Sequence, residues 1–262
     1  MPLNETTPQV DLIARPSVDL EALGRYLKTV GGEGWLERRL QEEDGANPGQ
    51  LLVEAAGRAC YRSWEPGLNP NVTRVRSDQA EYFLNILRSG HGSVLEHANY
   101  TFVLSDVSRV FTHELVRHRA GSAFSQESMR FVRIKDMGFR IPDSIESLRP
   151  QVISILETLE EFQIAAADHL GLDDQGVSFH TKKEITSALR RLAPEGISTM
   201  IIWTANVRTL RHVIQARTDA GAEEELRSVF NRVGEIMKEE APLLFGDFEV
   251  VDGAWVTQHK KV

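Results

Sequence analysis

The sequence predicts a chain that mixes helices with a few strands, and three observations carry that expectation. Several long segments repeat apolar side chains near the 3.6-residue period of an amphipathic helix. Two others, Ala98 to Ser105 and Ile197 to Thr204, are short, apolar and rich in β-branched or aromatic residues, the pattern of strands. Hydrophobic residues make up 41% and charged residues 26% of 262 positions, the balance of a globular chain able to bury a full core.

Val18, Leu20, Leu23, Tyr26, Leu27 and Val30 predict a helix over Ser17 to Val30, ended by the glycines at 31, 32 and 34. A shorter helix, about Trp35 to Glu42, stops at a polar stretch that runs to Gly49. Residues 1–48 therefore read as an accessory helical extension and residues 49–262 as the main domain. Leu51 to Tyr61 reads as a helix, Trp64 to Asn71 as a loop, and a helix capped by Ser77 runs through Leu87 to Gly90. After the strand at Ala98, a helix from Ser108 to Leu115 delivers the chain to Arg117. Phe131 to Ile134 reads as extended and Phe139 to Pro150 as a loop. Helices follow over Gln151 to His169 and Thr181 to Leu192. Beyond the buried strand at Ile197 come helices from Asn206 to Asp219 and Glu223 to Lys238. The tail from Asp247 alternates weakly, as a strand with a frayed end.

Charge and cysteine usage narrow the class. The formal net charge is −8, which argues against a general nucleic-acid binder. Cys60 is the only cysteine, so no intrachain disulfide framework exists, and a reducing, cytoplasmic location is expected. No apolar run approaches the roughly 20 residues that span a bilayer. The start of the chain lacks the pattern of a secretory signal.

Against this acidic background, Arg117 to Arg130 gathers guanidiniums, an imidazole, hydroxyls and Gly121 into one span. Such a cluster reads as an anion site, with phosphate the natural ligand; the ordinary alternative is a solvated turn. Gly90 to His97 is a second cluster, in which His91, Ser93, Glu96 and His97 stand beside two glycines. It reads as a ligand-approach turn, as a metal site, or as a plain helix-to-strand turn. In the helix from Asn206, Arg217 lies seven residues after Leu210, on the stripe of Val207, Val213 and Ile214. An inward arginine there needs an anion; otherwise it reaches out to water. Arg208, His212, Gln215 and Asp219 form a separate polar stripe.

Arg117-His118-Arg119, followed after a short loop by Ser128, resembles the signature of the flavin-dependent thymidylate synthases. Leu52 to Trp64, Gly90 to His97, His113 to Arg119, Leu189 to Pro194 and Trp203 to Arg217 resemble further blocks of that family, in family order. The resemblance implies an α+β fold, a mainly antiparallel sheet flanked by helices. It implies FAD-dependent reductive C5-methylation of a uracil nucleotide, dUMP or UMP, with NADPH and methylenetetrahydrofolate as co-substrates. It also implies a homotetramer with shared active sites. Position by position, it implies His91, Arg217 and Ser128 as catalytic. Ser93, Glu96, Arg117, His118, Arg119, Asn206, Arg208 and His212 would hold the cofactor. Glu114, Gln126, Glu127, Ser128, Arg130, Arg190 and Arg217 would hold the nucleotide. No metal is implied.

Two departures stand out. Eight residues, not seven, separate Arg119 from Ser128, an insertion that Gly121 could absorb, and Gly221 stands where the family has a histidine. A reshaped loop could admit a ribose 2′-hydroxyl. Two other readings compete: a metal-dependent phosphohydrolase using His91, His97, His113 and His118, and a catalytically idle nucleotide-binding relative.

Overall fold

The computed structural model describes residues 4–42, 46–72, 74–131, 138–259 and 261–262, so the expected extended run over 132–134 lies outside the described residues. The first half contains β1 (Gln9–Ala14), α1 (Leu20–Val30), α2 (Glu33–Leu40), α3 (Pro48–Tyr61), α4 (Gln79–Ser89), the short α5 (Gly92–Leu95), β2 (Asn99–Ser108), α6 (Arg109–Leu115) and β3 (Ser122–Gln126). Then come α7 (Arg149–His169), α8 (Phe179–Leu189), β4 (Ser198–Asn206), α9 (Val207–Thr218), α10 (Glu224–Glu240), α11 (Pro242–Phe245) and the hairpin of β5 (Glu249–Val251) with β6 (Ala254–Val256). Asp143–Leu148 and Arg190–Leu192 are 3-10 turns. The fold is α+β, as expected.

Strand order in the larger sheet is β1-β2-β4-β3. Val207 donates to the Ala98 carbonyl and Thr101 bonds Thr204, so β2 and β4 run antiparallel. Glu127 donates to Met200, and Asn206 to Gly121, which makes β3 and β4 antiparallel too. The tail forms a two-stranded hairpin where a single strand with a frayed end was expected, and two further strands were not legible. β1 falls where no strand was expected, and β3 sits inside the arginine-rich span, whose polar residues mask its alternation of half-buried and exposed positions.

The chain forms two compact units. The first takes its described residues from 1–11, 103–118 and 124–203; the second takes them from 12–102, 119–123 and 204–262. In the first, Phe139, Ile141 and Leu156 form a small core with Val152 and Ile153 of α7. In the second, Leu27, Trp35, Leu36, Leu51, Ala55 and Trp64 pack together, the Trp35 and Trp64 rings 5.0 Å apart.

Helix starts are set by side-chain caps. Asp19, Asn47, Ser108, Ser178 and Asn206 each accept a backbone N–H of the first turn. The α4 cap is Asp78 rather than Ser77: its carboxylate reaches the Glu81 N–H at 2.6 Å.

Beside the aromatic core lies a buried carboxylate. Glu54 of α3 takes Arg39 of α2 at 2.8 and 2.9 Å, Arg58 at 2.7 Å, the Trp35 indole at 2.9 Å and the Gln79 amide at 2.8 Å. Burial by itself would raise its pKa. The Arg39 hydrogen bond and the charges of Arg58 and Arg39 outweigh that and hold the carboxyl below the usual glutamate range. Glu54→Gln leaves two buried guanidiniums without their anion, and urea denaturation at neutral pH should show a loss of about 3–5 kcal/mol. Because the folded pKa is depressed, Glu54's contribution is present above the unfolded value of about 4.3 and disappears as pH falls through the folded value. The gap between wild type and Glu54→Gln should therefore narrow in acid; a constant gap would contradict this account.

Candidate functional site

The second unit gathers one group of the expected residues around the start of α9. Asn206 caps α9 through the Thr209 N–H at 2.9 Å, and its own N–H donates to Gly121 at 3.1 Å. Thr209 donates its hydroxyl to the Ala120 carbonyl at 2.7 Å. The arginine-rich loop is thus latched to the helix from both sides. Gly121 has φ +68°, and a Cβ there would collide with the Asn206 amide and the Thr209 hydroxyl. Only glycine meets both demands, so the longer loop turns at the residue that can absorb it.

Arg208 projects one residue before Thr209 and bonds Glu96 at 2.6 Å. Its guanidinium lies against the backbone of Gly92, where a Cβ would stand 2.7 Å from Nε. Gly92 therefore permits the approach that brings the Gly90 to His97 turn to α9. His91 is the cap residue of α5 and makes no capping bond through its side chain. Its ring stacks on Tyr61, with centroids 5.8 Å apart and planes 9° apart. Ser93 and Arg119 are exposed.

Farther along α9, His212 and Arg217 line a surface groove of about 510 Å³ with Gln215, Asp219 and Gly221. Arg217 is half-buried, at the edge of the apolar stripe. The arginine that faces fully inward is Arg211, 1% exposed, which the periodicity reading passed over. Asp247 neutralises it through two bonds of 2.7 Å, and Leu244 offers a carbonyl at 2.5 Å. The anion demanded by an inward arginine comes from the protein itself. The stripe is centred on Val207, Arg211, Ile214 and Thr218, which rotates Arg217 to its margin.

The first unit holds the other group. Arg117 turns back to donate to the His113 carbonyl at 3.2 Å, near the negative end of α6. Glu114, His118 and Ser128 are half-buried. Gln126 donates to the Thr112 hydroxyl on α6 at 2.9 Å, and Glu127 donates its N–H to Met200 at 2.9 Å. Thr186 of α8 ties down the Arg130 carbonyl at 2.9 Å. Arg190 ends α8, and the residue it faces was missed: Arg109, the first of α6. Burial and the like charge of Arg190 hold Arg109 below the usual arginine range, opposed by Glu195. A signal existed. A cation in the first turn of a helix opposes the dipole and is misplaced unless it serves an anion.

Among the described residues, no three His, Cys, Asp or Glu side chains are grouped so as to hold a metal ion. No helix among them is long and apolar enough to cross a membrane.

These features define a class: an α+β protein that carries several arginines at helix ends, the side chain that pairs most readily with carboxylate and phosphate. Residues 44–243 match the family model of the thymidylate synthase complementing proteins. A flavin-dependent thymidylate synthase of Corynebacterium diphtheriae is 36% identical over 227 residues, 84% of this chain and 85% of its own. That of Mycolicibacterium gilvum is 36% identical over 211 residues, 78% and 82%. The fold is shared with two crystal structures. Thymidylate synthase X from Helicobacter pylori, solved with FAD and dUMP, has a TM-score of 0.54 and 21% identity, covering 76% of this chain and 93% of that one. The UMP/dUMP methylase PolB from Streptomyces cacaoi, bound with 5-Br UMP, has 0.60 and 17%, covering 92% and 94%. The chain belongs to the flavin-dependent thymidylate synthase family.

The latch at Gly121 is testable. Gly121→Ala should cost more than about 1 kcal/mol by thermal denaturation, since alanine can neither adopt the angle freely nor fit. Thr209→Val, which removes one hydrogen bond, should cost about 1 kcal/mol.

Proposed function

We propose that this protein is a flavin-dependent methyltransferase acting at C5 of a uracil nucleotide. The reading is carried by the seating of the signature loop on the first turn of α9, next to the Arg208–Glu96 pair and the Gly92 approach. Family membership over residues 44–243 supports it independently.

The residues of the second unit suit a flavin. The positive end of α9, with the Arg119 and Arg208 guanidiniums beside it, favours an anionic group. Gly92 leaves room for close approach, and Arg119, Asn206, Arg208 and His212 supply donors around Ser93, Glu96 and His91. When bound, FAD reduced by NADPH would supply hydride, with methylenetetrahydrofolate as the carbon donor. Everything else falls to the chain. Arg217 would lie against the pyrimidine and stabilise, without reorganising, the negative charge that develops toward O4 as C5 is made nucleophilic toward the donor carbon. Arg109, Arg130 and Arg190 would hold the 5′-phosphate; two guanidiniums close enough to repel, as Arg109 and Arg190 are, gain most from a dianion between them. Glu114, Gln126, Glu127 and Ser128 would orient the base and sugar. Arg117 and His118 would close the flavin side. The assembly proposed is a homotetramer, with each active site drawing on several subunits.

The extra residue of the signature loop favours a reshaped sugar pocket, so we propose that UMP is methylated as well as dUMP. Purified protein should carry the colour of a flavin. Given NADPH and methylenetetrahydrofolate, it should form the C5-methyl product from dUMP and, more slowly, from UMP. Complete rejection of UMP removes the sugar proposal; failure with both nucleotides removes the activity. Arg190→Ala should raise the nucleotide KM by about 10- to 100-fold with the flavin still bound, the loss of one charge-assisted contact to phosphate.

A further inference from the structure

We propose that Tyr61 is a positioning residue: it fixes the ring plane of His91, and the two stacked rings form one wall of a ligand-facing cavity. The proposal rests on the reading of His91 as a flavin-pocket residue.

Among the described residues, little else holds the His91 imidazole. As the cap residue of α5 it occupies φ −75° and ψ 57°, and its side chain accepts no backbone N–H of the first turn. A capping side chain is ordinarily held by that bond. Instead the ring lies nearly parallel to Tyr61, and the Tyr61 hydroxyl stands 3.4 Å from Nε2. Stacking restricts both side-chain torsions of the histidine at once, which a single hydrogen bond to one nitrogen does not.

Tyr61 is itself well anchored, although its side chain is not there to fill a core. The residue is 52% exposed. Its backbone closes α3, and the chain reverses at Arg62, which takes the left-handed φ of 49°. Asn69 donates to the Tyr61 carbonyl at 2.7 Å. One turn back, Arg58 grips the Ser63 carbonyl at 2.7 Å and the Arg76 carbonyl at 2.6 Å while bound to Glu54 at 2.7 Å. The end of α3 is therefore pinned to the buried carboxylate, and Tyr61 transmits that fixity to His91. A cavity of about 160 Å³ opens against the pair, lined also by Val72, Arg74, Arg76 and Asn85. A flat wall beside guanidiniums suits a planar, anionic ligand.

The test reads the ring before it reads the reaction. In ligand-free protein, the His91 ring signals in NMR, assigned with His91→Gln, should carry the ring-current shift of a stacked aromatic. Tyr61→Phe should keep that shift. Tyr61→Leu, at an exposed position where the fold should survive, should lose it. In the holoenzyme, Tyr61→Leu should lower kcat by about 10- to 100-fold, the effect of a misplaced group, with the nucleotide KM within about twofold and Tyr61→Phe near wild type. An unchanged His91 signal in folded Tyr61→Leu overturns the proposal. So does a moved signal with kcat and FAD affinity intact. If wild type binds no FAD, the flavin reading fails by itself, and the ligand-free spectra still decide whether Tyr61 sets the ring.

Discussion

One buried carboxylate organises the second unit. Glu54 has no exposed side-chain surface, yet it stays ionised because two guanidiniums, an indole and an amide meet its oxygens. An isolated charge in that setting costs too much to survive, so the partners are an obligation of the fold rather than an ornament. They come from different elements: Arg39 and Trp35 from α2, Arg58 from α3, Gln79 from α4. Arg39 also reaches the Ser77 carbonyl just before α4. Satisfying one carboxylate therefore sets where three helices meet. A network of this kind contributes specificity of arrangement more surely than it contributes net stability.

A second lock of the same design holds the C-terminal part of that unit. Arg211 stacks 4.7 Å over Phe248 and clasps Asp247 with both terminal nitrogens. Burial would raise Asp247; the hydrogen bonds and charge of Arg211, with help from Thr257, hold it below the usual aspartate range. The lock faces one side of α9, while Arg208 and His212 leave from the other. The helix thus divides its arginines. Arg211 serves internal order through Asp247, whereas Arg208 reaches Glu96 near the surface and Arg217 lines a surface groove. Charge type alone does not distinguish the two uses, because a guanidinium serves an internal carboxylate and an external phosphate equally well.

The signature loop would be a mobile surface turn without the glycine that fits under Asn206 and the hydroxyl of Thr209. Latched, it carries Arg119 at a defined place beside α9. In the first unit the like charges of Arg109 and Arg190 repel each other with Glu195 in opposition, and the proposed nucleotide phosphate would relieve that repulsion further.

Much of this was legible in the residues. Apolar periodicity located the long helices to within a few positions, and Ser108, Asn206 and Gly90 marked ends that the structure confirms. The arginine signature and the blocks in family order pointed to the family that the comparisons then showed. What only the tertiary structure decided was which partner each charge takes. β1 alternates only briefly, with Val10 and Leu12 half-buried, and β3 hides its alternation among polar residues, so pairing within the sheet of β2 and β4 decides that both are strands. Arg211 rather than Arg217 faces inward, because the apolar stripe is centred by packing and not by spacing. Arg39, Glu54 and Arg58 look in the sequence like ordinary solvated charges, and so does Tyr61 like an ordinary surface ring. Sequence periodicity records the local preference of one segment, whereas the neutralisation of a buried charge depends on groups far apart in the chain, and only folding brings those together.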